Sequence, residues 1–331
     1  MRHVVVSIPL RTKFRGITVR ESTLVHGHAG WGEFGPFLEY DAAEARAWWR
    51  SAMEAATVGF PEPVRDRIPV NVTVPATDPE AAAAIVARSS CITAKVKVAE
   101  RGQSEAEDLA RLEAVRSALG PAGEVRIDVN AGWDVDTALT RLPRYERAAG
   151  GLQYVEQPCA TVDELAEVRR RGNVRVAADE SIRRSEDPML VVRREAADVV
   201  VLKVAPLGGV RRALTLAGEL GVPVVVSSAI DTSVGIAAGV ALAAALPELP
   251  FACGLGTVAL LSDDGAADPL LPVDGHLPVR AVEPSEAALE RLRASEDRRQ
   301  WWEQRLVAVT GDANFESDFS RAVGTPTGVT P

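Results

Sequence analysis

The sequence predicts an α/β protein: a TIM-type parallel barrel with a small α+β unit beside it. Three observations carry this expectation. From Ile68 onward, short β-branched runs alternate with helical stretches until eight strand units have passed. One of these runs, Thr93-Ala94-Lys95-Val96-Lys97-Val98, places two ammonium groups on one face of a strand. The strands after it end, one after another, in charged or hydroxyl residues. An open doubly wound sheet would need a Gly-rich phosphate turn after its first strand. Val74-Pro75-Ala76-Thr77-Asp78 is not such a turn.

Residues 1 to about 35 read as β-structure. Val4–Ile8 is a strand, Leu10–Gly16 a basic loop carrying Arg11, Lys13 and Arg15, and Ile17–Val25 an alternating strand. Gly30–Pro36 breaks the pattern. A helix starts after Asp41, its expected N-cap, and runs towards Thr57. Pro61 and Pro63 close this unit. The barrel strands expected are Ile68–Val74, Ile92–Val98, Val125–Asn130, Leu152–Glu156, Val174–Ala178, Val199–Lys203, Pro223–Ser227 and Pro250–Cys253. Helices fall between them, among them Ser104–Leu119, Asp134–Ala148, Val162–Arg171 and Val210–Leu220. A strand pair around Gly275 and a helix from about Ser285 to Arg305 return to the N-terminal unit. The tail Thr310–Pro331 is rich in Gly, Thr and Pro and is expected to be poorly ordered. The division is a capping domain, residues 1–67 with 275–331, and a barrel, residues 68–274.

The chain has 331 residues, 47% of them hydrophobic, which is enough for a barrel core and a smaller one. A net charge of -9 excludes the basic footprint of a nucleic-acid partner and any electrostatic pull to an anionic membrane. Ile236–Leu246 is apolar but too short to span a bilayer, and no signal-peptide core is present. Cys91, Cys159 and Cys253 show no metal-ligand spacing and fit a reducing, cytoplasmic setting. No obligate protein partner is evident.

In parallel barrels the C-terminal strand ends hold the active site. Read in order, those ends supply Lys95 and Lys97, Asp128 and Asn130, Glu156, Asp179 and Glu180, Lys203, and Ser227 and Ser228. A lysine strand on its own reads as a solvated edge; the series changes that. Asp128, Glu156 and Asp179 end three consecutive strands, close enough to converge on one point. Oxygen ligands without Cys or His specify a hard cation such as Mg²⁺, with Mn²⁺ as the alternative. The bland alternative is a row of helix N-caps, for which Glu156 before Gln157-Pro158 is a poor candidate. The two lysine strands flank these three, so Lys97 and Lys203 can face each other across a metal-bound carboxylate substrate. A cation and a second ammonium nearby favour a neutral amine, which suits removal of a proton α to a carboxylate, the metal stabilising the resulting enediolate.

Lys95-Val96-Lys97, Asp128-Val129-Asn130, Glu156-Gln157-Pro158, Asp179-Glu180-Ser181 and Lys203 resemble the enolase superfamily, muconate-lactonizing subgroup, over nearly the whole chain. The resemblance implies a (β/α)7β barrel, Mg²⁺ on Asp128, Glu156 and Asp179, and Lys97 and Lys203 as the acid/base pair. Lys95 and Asn130 are implied as supporting groups. Ser227-Ser228-Ala229-Ile230-Asp231-Thr232-Ser233-Val234-Gly235 and Ala252-Cys253-Gly254-Leu255-Gly256-Thr257 are similar to the o-succinylbenzoate synthase family of the actinobacterial type. That implies dehydration of 2-succinyl-6-hydroxy-2,4-cyclohexadiene-1-carboxylate in menaquinone synthesis. It also implies Ser227, Ser228, Gly254 and Leu255 at the substrate. In that family one lysine does both proton transfers, which assigns them to Lys97 and makes Lys203 a cation–π partner of the ring. The basic loop Arg11–Gly16 is expected to be mobile and to close over the mouth.

An N-acylamino-acid racemase or dipeptide epimerase on the same fold is the rival, since both lysines it needs are present. An epimerase of this family would carry Asp-x-Asp at the eighth strand, where Cys253-Gly254-Leu255 stands. The short connection between the first two strands also favours the synthase. A catalytically silent binding barrel would have no use for all five charged positions, because buried unpaired charge is costly.

Overall fold

A β-branched, buried run at Val4–Val6 followed by less buried residues from Pro9 to Lys13 forms one long strand, β1 (Arg2–Phe14), paired antiparallel with β2 (Ile17–Gly27). This computed structural model describes residues 1–311. The connection between β1 and β2 is only Arg15-Gly16, at φ 50° and 79°, the two left-handed positions of a type I′ hairpin turn. The expected basic loop is therefore a strand end and a tight turn, because Leu10–Phe14 continues the strand despite its charges. β3 (Gly30–Phe34) adds a third strand where a break in the pattern is expected. The glycines there serve close packing. A Cβ at Gly27 or Gly32 would lie 2.2 or 2.0 Å from the carbonyl oxygens of Ala56 and Ala52 on helix Ala42–Thr57. Asp41 caps that helix, accepting from Glu44 N at 2.9 Å. Phe34 meets Trp49 and Trp302 edge-to-face at 5.7 and 5.8 Å, joining the sheet to helices from both ends of the chain.

The first expected barrel strand divides in two. β4 (Arg67–Pro69) pairs antiparallel with β12 (His276–Pro278), while β5 (Val72–Val74) enters the barrel. β6 (Thr93–Lys97), β7 (Glu124–Asp128), β8 (Val155–Glu156), β9 (Val176–Ala178), β10 (Val199–Lys203) and β11 (Val224–Ser227) follow, all parallel and in sequence order. The eighth expected strand is no strand but a short bridging segment. Cys253 pairs with Val70 and Gly254 with Ser227, so the segment sits between the first and last strands and closes the barrel. The chain thus folds as a TIM-type barrel of seven strands and a closing segment.

Period-two alternation then divides the barrel interior. Lys95 registers with Arg126, and Lys97 with Asp128. Arg126 donates to the hydroxyl of Tyr154 at 3.0 Å, and Tyr154 packs with Ala177, Val199, Val201 and Val225 in a cluster separate from the main core. One wall of the barrel is polar and the opposite wall apolar. The expected helix Ser285–Arg305 is two helices, Glu286–Leu292 and Glu296–Thr310. Between them Arg293 bridges Val6 and Ala294 N donates to Val5 at 2.9 Å, a pairing to β1 that interrupts the helix. Thr310 ends the second helix, and the rest of the expected disordered tail, from residue 312, lies outside the described residues.

Candidate active site

The helices that follow the barrel strands take their N-caps from Asp78, Ser104, Asp134 and Thr161. Asp128 and Glu156 are therefore free of capping duty. Asp179 stands at the N-cap position of Glu180–Arg183 but makes no side-chain cap hydrogen bond. All three carboxylates are buried to 1% exposure or less, so their charges need partners. Lys95 Nζ lies 3.0 Å from Asp128 Oδ2 and 2.9 Å from Glu156 Oε1. Lys97 donates to Asp128 at 2.5 Å and also to Asn130. Lys203 donates to Asp179 Oδ2 at 2.6 Å, while Arg183 Nε approaches Asp179 Oδ1 at 3.0 Å.

These contacts set the protonation states. Burial works against charge on Asp128 and Asp179, but Lys95 and Lys97 beside the first, and Lys203 and Arg183 beside the second, hold both below the usual carboxylate range. Burial and the neighbouring Asp128 instead push Glu156 up to about 7, against the pull of Lys95. Burial disfavours charge on Lys95 too, yet Asp128 and Glu156 raise it well above an ordinary lysine.

The donor set fits a hard cation. It is all oxygen, and Asp128 and Glu156 already share one cation, the Lys95 ammonium. Among the described residues no three acidic, His or Cys side chains are gathered on one point, because Asp179 is turned to Lys203 and Arg183.

Above the carboxylates lies a cleft of about 50 Å³, lined by Lys95, Lys97, Asp128, Asn130, Lys203, Ser227, Ser228 and Gly254. Its walls also include Phe14, Phe37, Tyr40 and Trp48 from the cap. Lys97 Nζ sits 5.5 Å from the centre of the Phe14 ring. Arg15 and Lys13 border an outer cleft of about 630 Å³ that shares Phe14, Lys97, Asn130 and Arg183 with the inner one. Arg11 is not at the mouth; it donates to the carbonyls of Leu261 and Ser262, tying β1 to the barrel. Leu255 is fully buried and lines a second small cavity that adjoins the cleft through Lys203, Ser227 and Ser228.

Sequence reading missed the aromatic wall. Phe14 borders the basic stretch and could have been suspected; Phe37, Tyr40 and Trp48 carry no local signal. It also missed Gln157, whose Oε1 accepts from Asp179 N at 3.0 Å and Ser181 N at 3.2 Å, fixing the Asp179 turn. Gln157 itself is held at φ 40°, a strained position for a non-glycine residue. Arg183, four residues beyond Asp179 on the following turn, was signalled only by that spacing.

Barrel, cap and strand-end carboxylates define a class, and comparison agrees. Residues 78–284 match the model of the enolase C-terminal domain-like family and residues 5–56 that of the enolase N-terminal domain-like family. The chain belongs to the enolase superfamily. Its members generally use a divalent metal. Among its relatives is the o-succinylbenzoate synthase of Thermobifida fusca, 67% identical over 92% of this chain and 94% of that one. The o-succinylbenzoate synthase of Mycolicibacterium smegmatis is 55% identical, again over 92% of this chain and 94% of the relative. In fold it is similar to the muconate lactonizing enzyme of Pseudomonas fluorescens complexed with muconolactone. That match has a TM-score of 0.75 at 22% identity, covering 88% of this chain and 98% of that one. The L-Ala-D/L-Glu epimerase of Bacillus subtilis, solved with its substrate, gives a TM-score of 0.72 at 22% identity over 86% of this chain and 96% of that one. No helix among the described residues is long and apolar enough to cross a membrane.

Proposed function

We propose that this chain is an o-succinylbenzoate synthase, a hydro-lyase acting on 2-succinyl-6-hydroxy-2,4-cyclohexadiene-1-carboxylate. The observation that carries the chemistry is the pair of cleft-lining lysines, Lys97 and Lys203, on either side of three buried carboxylates. The substrate follows from the relatives at 55–67% identity, which bear that name over nearly the whole chain. The racemase and epimerase neighbours resemble it in fold alone.

Asp128, Glu156 and Asp179 would hold the cation, for which we propose Mg²⁺. When bound, it supplies positive charge against the negative charge that develops on the substrate carboxylate. Lys97, as the neutral amine, takes the α-proton and breaks the C–H bond. The same group returns that proton to the hydroxyl as the C–O bond breaks, so water leaves and the ring becomes aromatic. One group suffices because both bonds break on one face. Lys203 contributes charge over the ring. Asn130 accepts from Lys97 and orients it. Lys95 holds Asp128 and Glu156 together beneath. Ser228 reaches Gly254 O and Thr257 Oγ1 at 2.9 and 2.8 Å, shaping the wall on which Ser227, Ser228 and Gly254 meet substrate. The inner cleft is small, so the succinyl tail extends towards Arg15 and Lys13 in the outer one. The capping domain comprises residues 1–67 with the C-terminal return from residue 275, and the barrel residues 68–274.

The test is turnover of the cyclohexadiene substrate beside racemisation of an N-succinyl amino acid. Dehydration much faster than racemisation is expected; racemisation without dehydration would replace this reading with the racemase one.

A further inference from the structure

Ile230 lies at the inner cleft with φ 61°, in the left-handed region. For a β-branched residue this is a true outlier, held only where surrounding contacts over-determine it. Locally, Ala229 N donates to Asp231 Oδ2 across the turn at 3.0 Å, and a second contact comes from the cap. Arg20, on β2, is 3% exposed and donates from Nε to the carbonyl of Ile230 at 3.0 Å. The same guanidinium donates to Glu21 O at 3.0 Å and to Gly35 O, and lies 3.8 Å from Asp231 Oδ1. Its plane rests over Phe37, another wall of the cleft, at 4.9 Å. A second cap residue grips the same loop. Glu33 Oε2, on β3, accepts from Thr232 N, Thr232 Oγ1 and Gly235 N at 3.0, 2.7 and 3.0 Å, capping helix Ser233–Ala245. The approach is close: a Cβ at Gly235 would stand 2.6 Å from Glu33 Oε2.

We infer that Arg20 is a positioning residue: it holds the strained Ile230 backbone so that the Ser227–Ile230 wall of the substrate cleft forms only with the cap docked. Arg20 touches no reacting atom. It acts through the turn, so its loss should appear as weaker substrate binding rather than slower chemistry. The binding half of this inference rests on the function proposed above; the backbone half does not.

The test is a double-mutant cycle of Arg20→Met and Ile230→Gly. Glycine adopts φ 61° without strain, so it removes the need for the Arg20 bond. Arg20→Met alone should raise KM about 10-fold or more, the share expected for its charged hydrogen bond to Ile230 O, with kcat within about 3-fold. The lost bonds to Glu21 O and Gly35 O and the lost approach to Asp231 should lower unfolding stability alike on both backgrounds. On the Ile230→Gly background the same change should move KM less than about 3-fold, and the two changes should be non-additive in urea unfolding. Arg20→Lys keeps one charged donor and should fall between wild type and Arg20→Met, providing a foldable arm if the methionine variant fails to fold. Equal KM losses on both backgrounds with additive unfolding energies would overturn the inference. So would a loss confined to kcat. If wild type does not turn over the cyclohexadiene substrate, the function proposal fails, and the coupling of Arg20 to Ile230 is still decided by the unfolding cycle.

Discussion

Lys95→Met removes one ammonium and nearly preserves the volume of its stem. The lysine side chain is 8% exposed and its partners Asp128 and Glu156 are 1% exposed, so water cannot take over its two ion pairs at 3.0 and 2.9 Å. Stripping one partner from a buried pair costs about 3–5 kcal/mol. Here the cost depends on pH. Burial and Asp128 push Glu156 from 4.5 up to about 7, and Lys95 opposes them. A carboxyl raised in the folded state contributes stability that is complete below its unfolded value and lost as pH rises through its folded value. Removing Lys95 raises that folded value further, so the variant loses more between pH 5.5 and pH 8 than wild type does. Urea unfolding in excess EDTA should show a loss of about 3–5 kcal/mol at pH 8 and a clearly smaller one at pH 5.5. A divalent cation at about 100 times its Kd should then return about 2.7 kcal/mol. A loss below about 1 kcal/mol at pH 8, or one independent of pH, would refute the claim that Lys95 is the shared counter-ion of the two carboxylates.

Lys97→Arg should lower kcat on the cyclohexadiene substrate by at least the 10²–10⁴-fold typical of one acid/base role, and Lys203→Arg by clearly less, since arginine keeps the charge but cannot release a proton at working pH to act as a base. Equal losses would remove the one-base mechanism while leaving the site intact. Gly254→Ala would set a Cβ 2.5 Å from Ser227 Oγ and 3.1 Å from Ser227 Cβ, so a cost of about 1–3 kcal/mol in urea unfolding and a raised KM are expected. Unchanged KM would argue that the Ser227 turn does not meet substrate. Lys13→Gln with Arg101→Gln, both at the outer cleft, should lower kcat/KM at low ionic strength and converge with wild type at high salt. A salt-independent difference would assign them direct contact instead.

The barrel was legible because its strands are short, β-branched and evenly spaced, and because period two carries chemistry to the strand ends. Lys97, Asp128 and Glu156 fall at one register level, as pairing by adjacent strands requires. The errors share a cause. Leu10–Phe14 was read as loop from its charges, although pairing to β2 decides it. Pro250–Cys253 was read as a full strand, although only Cys253 and Gly254 bridge their neighbours. The break at Arg293–Ala294 depends on β1, nearly 290 residues earlier in sequence. The cap side of the site was illegible for the same reason. Tyr40 accepts from Arg183 at 2.9 Å and Arg20 donates to Ile230, contacts that no local pattern encodes.

The central claim is that buried carboxylates and a lysine perform metal-dependent proton removal from this substrate. It is tested most directly by following the ultraviolet absorbance of the cyclohexadiene substrate with protein stripped in EDTA, then resupplied with Mg²⁺. The account predicts no turnover after stripping, recovery with Mg²⁺, and no recovery in Asp179→Asn at unchanged circular dichroism. Full activity in excess EDTA, or an active Asp179→Asn variant, would contradict it.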